Sequence, residues 1–147
     1  MTSFYWRDTL PVDAVRLDKI VTGTYNAPGN YKIVYQTNLS NGNWYTLADN
    51  LSTSQNYVLD ASPAALRLAS NECVTQFMVS FGVVPANFRQ VETSQVYCTV
   101  LSALAGGAQF VNQADAGGVY QGQWIMAASR WVTGVYRPSQ SLPRTGY

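Results

Sequence analysis

The sequence predicts an all-β fold: an antiparallel β-sandwich of Ig-like or Greek-key type, with one short helical connection. Three observations predict it. Thr, Val, Tyr, Ser, Asn and Gln are abundant, and these are residues of strands and polar turns. Short runs with period-two alternation recur, separated by turn residues at sandwich spacing. Only one segment carries a good helix start. The chain has 147 residues, of which 47% are hydrophobic and 12% charged. That hydrophobic content suffices for one core, while the charge content is about half the usual share.

Taken in order, residues Ala14 to Tyr25 form a β-rich run closed by the turn signal Asn26 to Asn30. Tyr31 to Thr37 alternates, so Tyr31, Ile33 and Tyr35 share one face and Lys32, Val34 and Gln36 the other. Asn41-Gly42 before Trp44 to Leu47 is a hairpin signal. Tyr57 to Asp60 is a short strand. Ser62 then caps a helical stretch of about two turns, with Pro63 at its first position and an end by Asn71. The best strands are Val74 to Gly82, with Phe77, Val79 and Phe81 on one face, and Gln95 to Leu101, with Val96, Cys98 and Val100 together. Between them Pro85 to Arg89 is a turn with an aromatic lid. Gly106-Gly107 and Gly117-Gly118 punctuate the remainder, and Gln123 to Met126 and Arg130 to Tyr136 are the last strands. Residues 1–136 thus read as one sandwich domain and 137–147 as an extended tail containing two Pro.

Composition excludes several functions. A net charge of +1 supplies no basic field for a phosphate backbone, which argues against a nucleic-acid partner. No apolar run is long enough to span a bilayer, and Met1 to Arg7 has no apolar signal core. The chain is expected to be a piece of a longer secreted protein, with Met1 an added start. There is no His, which removes the commonest general base and metal ligand. The eight carboxylates are Asp8, Asp13, Asp18, Asp49, Asp60, Glu72, Glu92 and Asp115. None sits in a recognisable motif, so the expectation is surface and turn carboxylates, no catalytic residue, no metal and no cofactor. The glycine pairs lack the Lys-Ser/Thr of a phosphate loop.

Two side-chain sets keep two readings each. Cys73 and Cys98 either form a bridge, if the fold pairs their strands, or remain two free thiols acting as small hydrophobes. Trp6, Trp44, Trp124, Trp131 and the Tyr set form either core and cross-strand pairs or a flat sugar-binding face.

The tail contains Leu142-Pro143-Arg144-Thr145-Gly146. This matches Leu-Pro-x-Thr-Gly, the sortase recognition motif of Gram-positive cell-wall proteins. Four fixed residues in this pattern arise by chance in such a chain on the order of a few times in a thousand. In that family sortase cuts after the Thr, here Thr145, and transfers the new carboxyl end to peptidoglycan. A full sorting signal continues into an apolar span and a basic tail, which the sequence given does not contain; an appended sortase tag is the other source of such a pattern.

The body resembles a β-rich module of large wall-anchored surface proteins of gut Clostridia-type bacteria. The resemblance rests on Asp13 to Asn26, Trp44 to Leu51, Tyr57 to Asp60, Val74 to Phe77, Phe81 to Pro85, Asp115 to Gly118 and Arg130 to Thr133. It implies an extracellular, cell-wall-anchored, non-catalytic stalk whose partners are sortase and peptidoglycan. The alternative is an adhesin or carbohydrate-binding module that engages a host glycan or protein. Stalk domains of this kind often carry a Lys–Asn isopeptide bond assisted by an acid. The matching candidates are Lys19 and Asn112, with Glu72 or Asp18 as the acid.

Overall fold

The computed structural model describes residues 1–101 and 109–134; for 109–113 and 127–134 the backbone alone is described. Within them lie nine strands: β1 (Thr2–Thr9), β2 (Val15–Val21), β3 (Asn30–Thr37), β4 (Tyr45–Ser52), β5 (Val58–Asp60), β6 (Val74–Gly82), β7 (Gln95–Val100), β8 (Gln109–Tyr120) and β9 (Gln123–Gly134). They make two antiparallel sheets, one of six strands in the order β4-β3-β6-β1-β8-β9 and one of three in the order β5-β2-β7. The chain passes back and forth between the sheets, and the result is an Ig-like β-sandwich.

Period-two alternation determines what is buried. On β6, Phe77, Val79 and Phe81 point inward, and Phe77 and Val79 are fully buried. Tyr31 and Ile33 of β3 lie beside them, with Ile33 opposite Val79. From the smaller sheet, Leu17 and Ile20 of β2 close the core. A one-residue slip of either central strand would expose this whole set, so the register is strongly specified. Phe88, from the turn at Pro85 to Arg89, stacks on Tyr25 at 5.2 Å and 7° and meets Phe81 edge-on. The expected aromatic lid is therefore in place.

The Asn41-Gly42 signal also joins the strands it was expected to join, since β3 and β4 pair and both residues have positive φ. A second hairpin has a less obvious turn. Tyr120 pairs with Gln123 across Gln121 (φ 51°) and Gly122 (φ 77°), which gives two central residues in the left-handed region as in a two-residue hairpin loop.

Two expectations are corrected, one strand is added, and one open alternative is decided. First, Thr2–Thr9 adds a central strand between β6 and β8. Second, the helix of about two turns expected at Ser62 is absent, and a single capped turn stands in its place. Ser62 Oγ accepts from the Ala65 N–H as expected, and Leu66 N–H donates to Ser62 O. Leu68 N–H then returns to Pro63 O and Arg67 N–H to Ala64 O, with Arg67 at φ 55°, which is a Schellman ending. Third, Gly117-Gly118 is no boundary but lies inside β8, and the last two strands are one. A Cβ on Gly117 would stand 2.8 Å from the Ile125 carbonyl oxygen and 3.1 Å from the Tyr5 hydroxyl, so only glycine fits this close approach. Fourth, of the two readings for Cys73 and Cys98 the structure takes the second, free thiols. Their strands do not pair: Cys73 precedes β6 in the larger sheet, and Cys98 sits in β7 of the smaller one, opposite Leu17.

The glycine contacts give a contrast to test. Gly117→Ala is expected to lose about 1–3 kcal/mol by overpacking. Gly29→Ala, which meets nothing closer than Thr53 Cγ2 at 4.0 Å, is expected to be neutral or slightly stabilising. Urea unfolding of both variants checks this; equal losses would show that the close approach at Gly117 is not the cause.

Candidate functional site

The side chains that β1 carries fall into two sets. A bulge at Phe4/Tyr5, where Ser3 takes a φ of 51°, sets their alternation. Phe4, Trp6 and Asp8 then face the core, while Tyr5 and Arg7 face outward.

On the outer face Arg7 stands directly opposite Asp115 of β8. Its guanidinium donates from Nε to Asp115 Oδ1 at 2.9 Å and from Nη2 to Oδ2 at 2.8 Å, a bidentate fork. Tyr5 donates its hydroxyl to Asp115 Oδ2 at 3.3 Å, and the Arg7 guanidinium lies 5.9 Å from the Tyr5 ring centroid. The hydrogen bond to Asp115 raises the Arg7 pKa above its ordinary value. Burial first, and the Asp115 charge second, raise that of Tyr5. The trio clasps β1 to β8. Both Asp115 carboxylate oxygens are engaged in it.

On the inner face Trp6 packs edge-on against Phe77 at 5.7 Å and donates Nε1–H to the Tyr25 hydroxyl at 2.9 Å. Asp8 lies opposite Phe77 and is 6% exposed. Its Oδ1 has no hydrogen-bond partner among the described residues. Desolvation pushes this carboxyl up to about 6. Cys98 faces it from the smaller sheet. Burial, with added repulsion from Asp8 and Asp18, pushes the Cys98 thiol up to about 11, so the thiol stays protonated and unreactive.

The sequence-predicted residues scatter. Lys19 is exposed on β2 with its ammonium 4.5 Å from the Tyr97 ring centroid, a cation–π contact. Glu72 accepts from the Thr37 hydroxyl at 2.6 Å and from the Ala69 N–H at 3.1 Å; the Thr37 bond is the larger cause of its lowered pKa. Asp18 accepts from the Thr99 hydroxyl. Asn112 pairs with Trp131 along the β8–β9 ladder, and its side chain lies outside the described residues. Lys19 and Glu72 therefore belong to different surroundings. The motif Leu142 to Gly146 lies outside the described residues, as does the side chain of Trp131.

The remaining Trp residues do not form a row. Trp6 is core, Trp44 sits in the β3–β4 loop and Trp124 is at the far hairpin. There Tyr120, Trp124, Ile125 and Met126 are all exposed. Successive strand residues face opposite sides, so among the described residues nothing covers either side of this end of the larger sheet. Tyr120 borders an apolar recess of about 230 Å3 lined also by Met1, Phe4, Val84 and Phe88.

Among the described residues no group of three or more His, Cys, Asp or Glu is placed to hold a metal ion. No described helix is long and apolar enough to cross a membrane. No protein-family model, curated protein or solved structure matches the chain.

What sequence reasoning missed is Asp8. The i, i+2 spacing of Phe4, Trp6 and Asp8 was the available signal, masked by the neighbouring Arg7, which reads as a surface ion pair.

Asp8 makes stability depend on pH. Its carboxyl takes a proton at about 6 when folded and at about 3.9 when unfolded. The folded chain binds more protons at Asp8 between those values, so the contribution of this group is fully present below about 4 and is lost as pH rises through about 6. The contribution is on the order of 3 kcal/mol. Asp8→Asn is expected to raise stability at pH 7.5 and flatten the profile between pH 4 and 7. Urea midpoints across that range measure it; an unchanged slope would show that Asp8 does not titrate there.

Proposed function

We propose that this chain is a non-catalytic, wall-proximal spacer of an extracellular, sortase-anchored surface protein. One observation carries the reading: Leu142-Pro143-Arg144-Thr145-Gly146 follows the sandwich in the sequence. The last ladder residue among the described residues is Gly134, and Leu142 stands eight positions beyond it. Such a stretch, if extended, reaches about 25 Å. Pro138 and Pro143 lack the N–H that a central strand needs, which favours an accessible peptide over a further strand of the sheet. The bidentate use of Asp115 and the protonated state of Cys98 also fit a body that brings no chemistry of its own. The chemistry then comes from the partner enzyme, which opens the Thr145–Gly146 peptide bond and passes the Thr145 carbonyl to an amine of the wall.

A binding role draws on a different observation, the uncovered apolar end at Tyr120, Trp124, Ile125 and Met126. A sugar platform needs aromatic rings on one face. The pairings Val119–Trp124 and Tyr120–Gln123 put Tyr120 and Trp124 on opposite faces. The spacer reading is therefore the better supported.

Incubation with a class-A-type sortase and an amine acceptor is expected to release Gly146-Tyr147 and leave a Thr145-linked product, seen by intact mass. Thr145→Ala and Pro143→Ala are each expected to abolish that product without changing the melting temperature. If the wild-type chain stays unprocessed while a control peptide is consumed, the anchoring role is wrong.

A further inference from the structure

The strand order gives the sandwich a mechanical polarity. Met1 lies at one end of the larger sheet: its ammonium donates to Val84 O at 3.1 Å, and its carbonyl accepts from the Val84 N–H at 2.9 Å. Gly134 lies at the other end. Thr2 pairs with Val119, which pairs with Trp124, whereas Gly134 pairs with Gln109 at the opposite limit of β8. β1 and β9 both run antiparallel to β8 and hence parallel to each other. The polypeptide thus enters β1 at the end where β9 begins and leaves β9 at the far end. The separation along the strands is about 11 rises of 3.4 Å, or roughly 37 Å.

We infer that β1, β8 and β9 form a shear clamp that holds the domain together when tension acts between Met1 and the segment beyond Gly134. This rests on the spacer reading for its purpose, since a wall-anchored spacer is loaded along that line, but its geometry stands on the sheet alone. Tension on Met1 draws β1 along its own axis, past β6 on one side and β8 on the other. Tension beyond Gly134 draws β9 the opposite way along β8. Antiparallel ladder bonds lie perpendicular to the strands, so an axial pull strains every bond of a ladder at once. β1 holds six registered pairs to β6 and six to β8, and β9 holds twelve to β8.

The outer-face clasp belongs to the same device. Arg7 and Asp115 join the two strands between which the load passes, directly opposite each other in register. A fork of two parallel bonds, braced by the Tyr5 hydroxyl, resists sliding of β1 on β8 because any axial displacement misaligns both bonds together. Gly117 contributes by letting the Tyr5 ring lie close over β8. The bulge at Phe4/Tyr5 adds an irregular step that must pass its neighbours before β1 can slide.

Single-molecule force spectroscopy on the full chain tests the clamp, because forced unfolding reports the unfolding barrier. One geometry carries handles at Met1 and Tyr147. The other carries them at Met1 and at the exposed position 83, beside Met1, so that β1 peels from β6 one pair at a time. At equal loading rate the axial force is expected to exceed the peeling force by roughly two-fold or more, because bonds strained together yield at higher force than bonds broken in turn. Equal forces, or a lower axial force, would overturn the clamp. Asp115→Asn is expected to lower the axial force and leave the peeling force unchanged. Arg7→Lys, which keeps the charge but loses the fork, is expected to give an intermediate axial force. A loss common to both geometries would remove the clasp from the device. No sortase enters the measurement. A chain that resists axial load but is never transpeptidised overturns the anchoring reading alone, and a chain that is transpeptidised but unfolds at one force in both geometries overturns the clamp alone.

Discussion

The pairing of β1 between β6 and β8 is the constraint on which the rest of the structure depends. Without it the larger sheet divides into a β4-β3-β6 half and a β8-β9 hairpin. A lone hairpin is marginally stable in water, so β8 and β9 hold their place only because β1 pairs with β8. The same strand supplies both faces of the junction. Inward it offers Phe4 and Trp6 to the aromatic cluster around Phe77, Phe81 and Phe88, and outward it offers Tyr5 and Arg7 to Asp115. One eight-residue segment therefore fixes core, register and cross-strand charge together.

Burying Asp8 works against that economy. A carboxyl on the inner face with one oxygen unpartnered among the described residues weakens the fold near neutral pH, and it does so in the strand that holds the sheet together. The Trp6–Tyr25 hydrogen bond two positions earlier shows the alternative, a buried polar group with its partner supplied. The contrast between neighbours on the same face shows that position 8 is not a generic solution to packing.

Much of the architecture was legible because period-two alternation and turn chemistry are local signals. Phe77, Val79 and Phe81 declare their face within five residues, and Asn41-Gly42 declares its turn in two. The features that were not legible depend on what lies across the sheet. Thr2–Thr9 mixes aromatic and charged residues, and it makes sense as a central strand only once Asp115 is opposite Arg7. Gly117-Gly118 has the composition of a turn, yet its lack of side chains serves the approach of Tyr5, Met1 and Ile125. The capping contact of Ser62 was legible, but the turn it opens does not become a helix, because it closes at once with Arg67, not a glycine, in the left-handed region. The clasp and the buried carboxyl needed the register.

The separation of Arg7 and Asp115 by 108 positions has a consequence for how the chain reaches this state. Its central strand cannot find one of its two neighbours until nearly the whole described sequence is free to fold. Closing so long a loop is entropically costly, and folds dominated by such distant pairings form slowly. A polypeptide emerging from its N-terminus would hold Phe4 and Trp6 without their ladder on the β8 side until the last hairpin arrived. A topology that binds its first described strand to the β8–β9 hairpin therefore completes its larger sheet late and in one step, because β1 has no second neighbour before that hairpin forms.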